Sequence, residues 1–331
     1  MKNKINDKLF TGDSSNKDDL KLIHQSMQNN FKEELVSLIC IAEEYFVGLD
    51  LKEIKDDILR INTNESLNPF IFSAYQNLVE SLESKDVKQI QDSLIILAEG
   101  KNKLSNSYNF LIRSFDLTIF ADHSMSRFIL GSGGPRTIDG EIAVMEQCTK
   151  EELDNLKVFI EKAISIIKEN DEGLFSEFNE YVRALVLFDG SVVTGATSIR
   201  SFGNIYLRFP KKELSEIEKI MYFVEHIAHE TSHLHLHTLM VHDVMILNTL
   251  AEKYEAPIRP DPRPMFGIFH ATFVLTRMIR VFESWISRES SAEVSRRLDT
   301  FKGMHDKGRS VISEHGKLTT IGTLVFESLK Y

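Results

Sequence analysis

EHIAHETSHLHLHTL, residues 225–239, is the stretch on which the rest of this chain turns. Seven of the eleven histidines fall between 226 and 270, and six of those lie between 226 and 242. At about 100° of rotation per helical residue, His226, His229, His233 and His237 share a sector of about 80°. His235 and His242 point the other way, toward solvent or other packing. His229 and His233 stand i, i+4 within HETSH, a spacing that lets two imidazoles reach one ion at about 2 Å. His233 and His237 are a second i, i+4 pair. Glu230 lies about 100° round from the pair, placed to take a proton or to hydrogen-bond a metal-bound water or ligand. The flanks Ile220, Met221, Val224, Ile227, Ala228, Leu234 and Leu236 are apolar, so the motif is sheltered, and sheltered polar groups are costly unless partnered. The bland alternative is a chance five-residue match on a solvated, histidine-rich face.

Downstream, RPDPRPMFGIFHATFVLTRMIRVFESW (259–285) opens with three prolines and a stiff, extended approach ending at Pro264, read as a first-turn residue. Phe266, Phe269, His270, Phe273 and Arg277 follow as one helical stripe. His270 is the candidate third ligand, its alternative being a satisfied core histidine. Arg277 is either an ion-pair partner or a clamp for an organic acid's carboxylate. The 37 residues from His233 to His270 do not match HExxHxxGxxH proteases, whose third His comes six residues on. Glu252 and Glu255, candidates for a glutamate third ligand, lie in a polar stretch.

Outward from this pair, the fold reads as mostly α, a multi-helix protein with a small β element at about 184–209 and a metal site between two long helices. Residues 1–18 are a polar lead-in, read as disordered, and 19–135 a helical region suited to binding a peptide. Residues 136–331 form the catalytic region. Leu35, Leu38, Ile39, Ile41, Ala42 and Phe46 recur near a 3.6-residue period, and helical patterning continues to Ser107. SKDVKQIQDSLIILAEG reads as a helix capped near Ser84 and closed by Gly100. Gly131, Ser132, Gly133, Gly134 and Pro135 form an inter-element loop without the Lys and Ser/Thr of a phosphate loop. Thr149 and Glu152 start a helix over 149–170 with a capping box. ALVLF (184–188), SVVTGATS (191–198) and NIYLRF (204–209), broken by Gly190 and Gly203, are strand-like. Long helices over about 213–247 and 264–287 follow, then two more up to Tyr331.

Composition bounds the partners. The chain has 331 residues, 42% apolar and 27% charged, with a net charge of −10. That balance argues against nucleic acid and anionic membrane as general partners, because both are met by basic patches. Two cysteines, Cys40 and Cys148, exclude a disulfide framework and a thiolate-rich zinc site. No apolar run reads as long enough to span a bilayer, and the N-terminal stretch has no secretory apolar core, so a cytoplasmic setting is expected.

FGNIYL (202–207), EHIAHETSHLHLHTL (225–239) and RPDPRPMFGIFHATFVLTR (259–277), in that order, resemble the HExxH-type peptide β-hydroxylases. These are iron- and 2-oxoglutarate-dependent dioxygenases acting on precursors of ribosomally made, post-translationally modified peptides. The resemblance is specific over about 200–285 and weak to absent before 180. It implies that His229, His233 and His270 hold Fe(II), leaving positions open for 2-oxoglutarate and O₂. It also implies hydroxylation at a Cβ of a precursor peptide, with Glu230 as a positioning residue. A basic side chain must meet the distal carboxylate of 2-oxoglutarate, and Arg277, Arg263 and Arg200 are the candidates. The histidines at 235 and 237 exceed the family pattern. Two other classes stay open: a zinc metallopeptidase with Glu230 as general base, and a non-catalytic helical peptide-binding protein.

Overall fold

The computed structural model describes residues 16–45, 50–100, 110–130, 144–191 and 193–331. The polar lead-in up to residue 15, Phe46, the helical reading of 101–107, the glycine loop at 131–135 and Val192 lie outside the described residues. Among the described residues the fold is mostly α, with a small mixed sheet. The chain forms two compact units that interleave in sequence: His24–Leu153 with Tyr181–Phe209, and the described residues up to Ile23 with Asp154–Glu180 and Pro210–Tyr331. Sequence patterning places one cut near residue 135, with the β element on its C-terminal side. Contacts group that element with the N-terminal helices instead.

In the first unit, α1 (Lys17–Ala42, from His24 on), α2 (Leu51–Arg60), α3 (Pro69–Ser84), α4 (Val87–Glu99) and α5 (Phe120–Leu130) accompany the sheet. The α4 cap is Asp86, not Ser84: Asp86 accepts from the Lys88 and Gln89 amides, while Ser84 closes α3 and its hydroxyl accepts from the Asp86 amide. Asp and Ser both cap well, and the residue nearer the first helical turn takes the role. Buried Lys32 donates to the Leu59 carbonyl at 3.1 Å and to that of Ile61, satisfying carbonyls at the end of α2.

The sheet runs β1 (Leu111–Ser114), β3 (Ala184–Gly190), β5 (Asn204–Arg208), β4 (Gly195–Ala196), with β2 (Met145–Glu146) antiparallel to β3. β1 and β5 flank β3 in parallel, Leu111 opposite Ala184 and Ala184 opposite Asn204. A central parallel strand is covered on both faces, which is why Ala184–Phe188 is an unbroken apolar run and is fully buried. β1 was not read from sequence, because LIRS carries a charge where a strand would be apolar. Arg113 is tolerated there by its ion pair with buried Asp122 on α5, whose carboxylate also accepts from the Tyr206 hydroxyl at 3.0 Å. Gly203 sits at φ +96° before β5, its carbonyl accepting from the Arg183 and Ala184 amides. A Cβ there would stand 3.1 Å from Arg183 Cγ and 3.2 Å from the Tyr181 carbonyl. Gly203→Ala therefore lowers stability by about 1–3 kcal/mol, read as a shift in the urea unfolding midpoint.

The second unit holds α6 (Lys150–Asn170, from Asp154 on), most of α7 (Glu172–Tyr181), α8 (Glu216–Met240), α9 (Met265–Arg288), α10 (Ala292–His315) and α11 (Thr320–Ser328). The Thr149–Glu152 capping box is present. α9 is buried along most of its length. Phe269, Phe273 and Val274 pack with Leu236 and Leu239 of α8, Ile312 of α10 and Val325 of α11. Pro264 is the residue just before the helix and not its first turn. By length and composition α9 could cross a bilayer, which revises the reading that no apolar run is long enough. Yet 78% of its apolar window is buried inside the protein, as in a core helix.

Candidate metal centre

α8 starts at a capping box: the Ser215 hydroxyl accepts from the Glu218 amide, and the Glu218 carboxylate accepts from the Ser215 amide at 2.8 Å. From that fixed start, His229, His233 and His237 fall on one half-buried face of α8. His229 and His233 turn their Nε2 atoms toward each other, 3.0 Å apart. In the absence of an ion, one of the two can donate a hydrogen bond to the other. Two nitrogens bound at right angles to one ion at about 2.1 Å also lie about 3.0 Å apart, so the pair fits a shared ion.

α9 crosses this face and brings His270, 8% exposed, beside it. The His270 ring centre is 5.6 Å from that of His233 and 5.9 Å from that of His237, and Phe266 covers it at 4.2 Å. The His270 Nε2 faces Met240 Sδ at 3.2 Å, however. Among the described residues no group of three or more His, Cys, Asp or Glu side chains is arranged to hold a metal ion. What α8 and α9 do assemble is a patch of four imidazoles with one pair aligned.

Burial keeps these rings neutral, the form that binds a metal. Desolvation lowers the His229 and His237 pKa values to about 4 and that of His270 to about 3, and holds His233 well below the usual range. Neighbouring imidazoles push His229, His233 and His270 the same way. In the unfolded chain the same rings take up protons below about pH 6.5, whereas in the fold His229, His237 and His270 do not until near pH 4 or below, and His233 is held neutral well below its usual range. The contribution of these rings to the stability of the metal-free protein is therefore whole above pH 6.5 and lost as pH falls from there toward 4. The loss is up to about 1.4 kcal/mol per pH unit for each ring held neutral. Melting temperatures measured across that window should fall steadily, and a flat profile would contradict this burial.

The other sequence candidates are placed as follows. Glu230 is buried at 3% exposure. Arg277 is 2% exposed and ion-paired to buried Glu177 of α7, with its guanidinium 5.4 Å from the Phe273 ring. Of the two readings of Arg277, the ion pair is the one this structure contains. His235 also approaches Glu177, at 3.8 Å, and is packed rather than solvated. Arg263 precedes α9 and pairs with Asp261 at 2.8 Å, its Nε buried without a hydrogen-bond partner. Arg200 belongs to the sheet-bearing unit, pairs with Glu80 and covers Phe128. Glu252 is engaged by Asn248, Tyr254 and Lys317, and Glu255 by Lys307. His226 stacks edge-on against Tyr222 at 4.4 Å. Glu177 was missed in sequence; nothing in EGLFSEFNEY distinguishes a buried carboxylate from a solvated one. Met240 was missed because thioethers carry no metal-motif spacing.

No model of a known protein family matches the chain, and no curated protein matches it.

Proposed function

We propose that the chain is an Fe(II)- and 2-oxoglutarate-dependent dioxygenase that hydroxylates a Cβ of a residue in a ribosomally made precursor peptide. His229, His233 and His270 hold the iron in this reading. The observation that carries it is the His229–His233 nitrogen pair at 3.0 Å with the His270 ring brought alongside His233 by α9. All three rings are kept neutral by burial. Iron with 2-oxoglutarate and O₂ supplies the oxidising power for C–H hydroxylation. The chain's residues bind and orient: three imidazoles leave room for co-substrate, and Phe266 packs against the His270 ring. The distal carboxylate of 2-oxoglutarate needs a cation not already neutralised in the interior. Arg277 is held by Glu177 in the interior, whereas Arg263, seven residues before His270 and beside the first turn of α9, is paired with Asp261 only at the surface, where the pair exchanges readily, and suits that role better. The free cysteines Cys40 and Cys148 agree with a cytoplasmic setting for such an enzyme.

The test is oxygen-dependent conversion of 2-oxoglutarate to succinate by the Fe(II)-loaded protein, stimulated by a precursor peptide carrying the substrate residue. Cleavage of a peptide bond with Zn(II) and without oxygen would replace this reading by the hydrolase one. Glu230→Gln separates the two in kinetics. Loss of a general base costs a hydrolase about 10²–10⁴-fold in kcat. In the oxygenase Glu230 takes no proton in the reaction, and the variant stays within about tenfold of the parent, the equivalent of 1.4 kcal/mol.

A further inference from the structure

We propose that His237 is also a metal ligand. The cluster then offers two overlapping three-imidazole sets, His229–His233–His270 and His233–His237–His270, sharing His233 and His270. This rests on the metal-dependent reading above and deepens it.

The argument is one of level along α8. His270 meets α8 at the turn running from His233 to Met240: its ring neighbours are His233 and His237, and its Nε2 faces Met240 Sδ. That turn lies on the C-terminal side of the His229–His233 pair. The ring centres of His233, His237 and His270 are 5.6, 5.9 and 6.3 Å apart, a nearly equilateral triangle. Its middle is about 3.4 Å from each ring centre. An imidazole bound at about 2.1 Å puts its own ring centre about 3.2 Å from the ion, so the spacing of the three rings suits a shared ion once their nitrogens turn inward, His233 from His229 and His270 from Met240.

His237 is also unspoken for in the protein. Its Nδ1 is buried without a hydrogen-bond partner. Leaving a buried polar atom unpaired is costly, and coordination of a metal through that nitrogen removes the cost.

Co(II) titration of the full chain, followed by visible absorption and calorimetry, reads the ligands without turnover. The decisive comparison is His229→Ala against His229→Ala/His237→Ala. The single variant should still bind one Co(II) per chain, and adding the second change should weaken binding by at least about tenfold, or 1.4 kcal/mol. His229→Ala/His237→Gln, which keeps a polar side chain, should lose binding equally. Melting curves of the metal-free variants confirm that each is folded. A double variant that binds Co(II) no differently from His229→Ala overturns the proposal, as does a wild-type protein that binds no Co(II). The two readings fail separately. Absence of succinate formation with this Co(II) pattern intact removes the oxygenase and leaves the two-set site. Succinate formation without the pattern removes His237 alone.

Discussion

Glu177→Ala should lower the unfolding free energy by about 3–5 kcal/mol, the cost of leaving one member of a buried pair without its counter-charge. Glu177 is 0% and Arg277 2% exposed, so neither water nor salt screens the loss. The carboxylate reaches α9 through Arg277 and approaches α8 through His235 at 3.8 Å, linking α7 to both helices that bear the imidazoles. Urea unfolding measures the change. Replacing both members, as in Glu177→Leu with Arg277→Met, should cost far less than either single change, because no charge is then left buried. If Arg277→Met alone were neutral for stability while the KM for 2-oxoglutarate rose sharply, Arg277 would be a co-substrate clamp after all.

His233→Ala has the largest expected effect on function. This ring has His229 4.7 Å away, His270 5.6 Å away and His237 6.3 Å away, so it is common to every arrangement the cluster permits. Removing a hydrogen-bond partner of a ligand costs about 10–100-fold in metal affinity, and removing this ligand should exceed that range. Metal content after gel filtration should fall to background, and succinate formation with it. Stability of the metal-free variant should be retained or improved near pH 5, since one ring that resists protonation in the fold has been removed. A variant that keeps its metal would place the ion elsewhere.

The helices were largely legible because periodicity is local. α8 and α9 announce themselves through apolar spacing, prolines and histidines, and the i, i+4 rule alone put His229 and His233 together. The partner of Arg277 was not legible, since Glu177 lies a hundred residues earlier and burial is set by packing, not by its neighbours in sequence. β1 was hidden for a related reason: Arg113 spoils its apolar pattern until Asp122 is seen opposite it. Met240 stayed invisible as a neighbour of His270 because the crossing of two helices decides which of their turns meet.

The interleaving of the two units bears on how the chain is made. β3 must pair with β1 across more than seventy intervening residues, from Leu111 to Ala184, and β5 comes later still. On a ribosome, then, α2 to α5 emerge long before the strand that completes their sheet, and wait as a partly ordered assembly with an open edge. Such long-range closure slows folding and prolongs exposure to aggregation. Expressing residues 19–135 by themselves would yield a fragment lacking the middle of its own sheet.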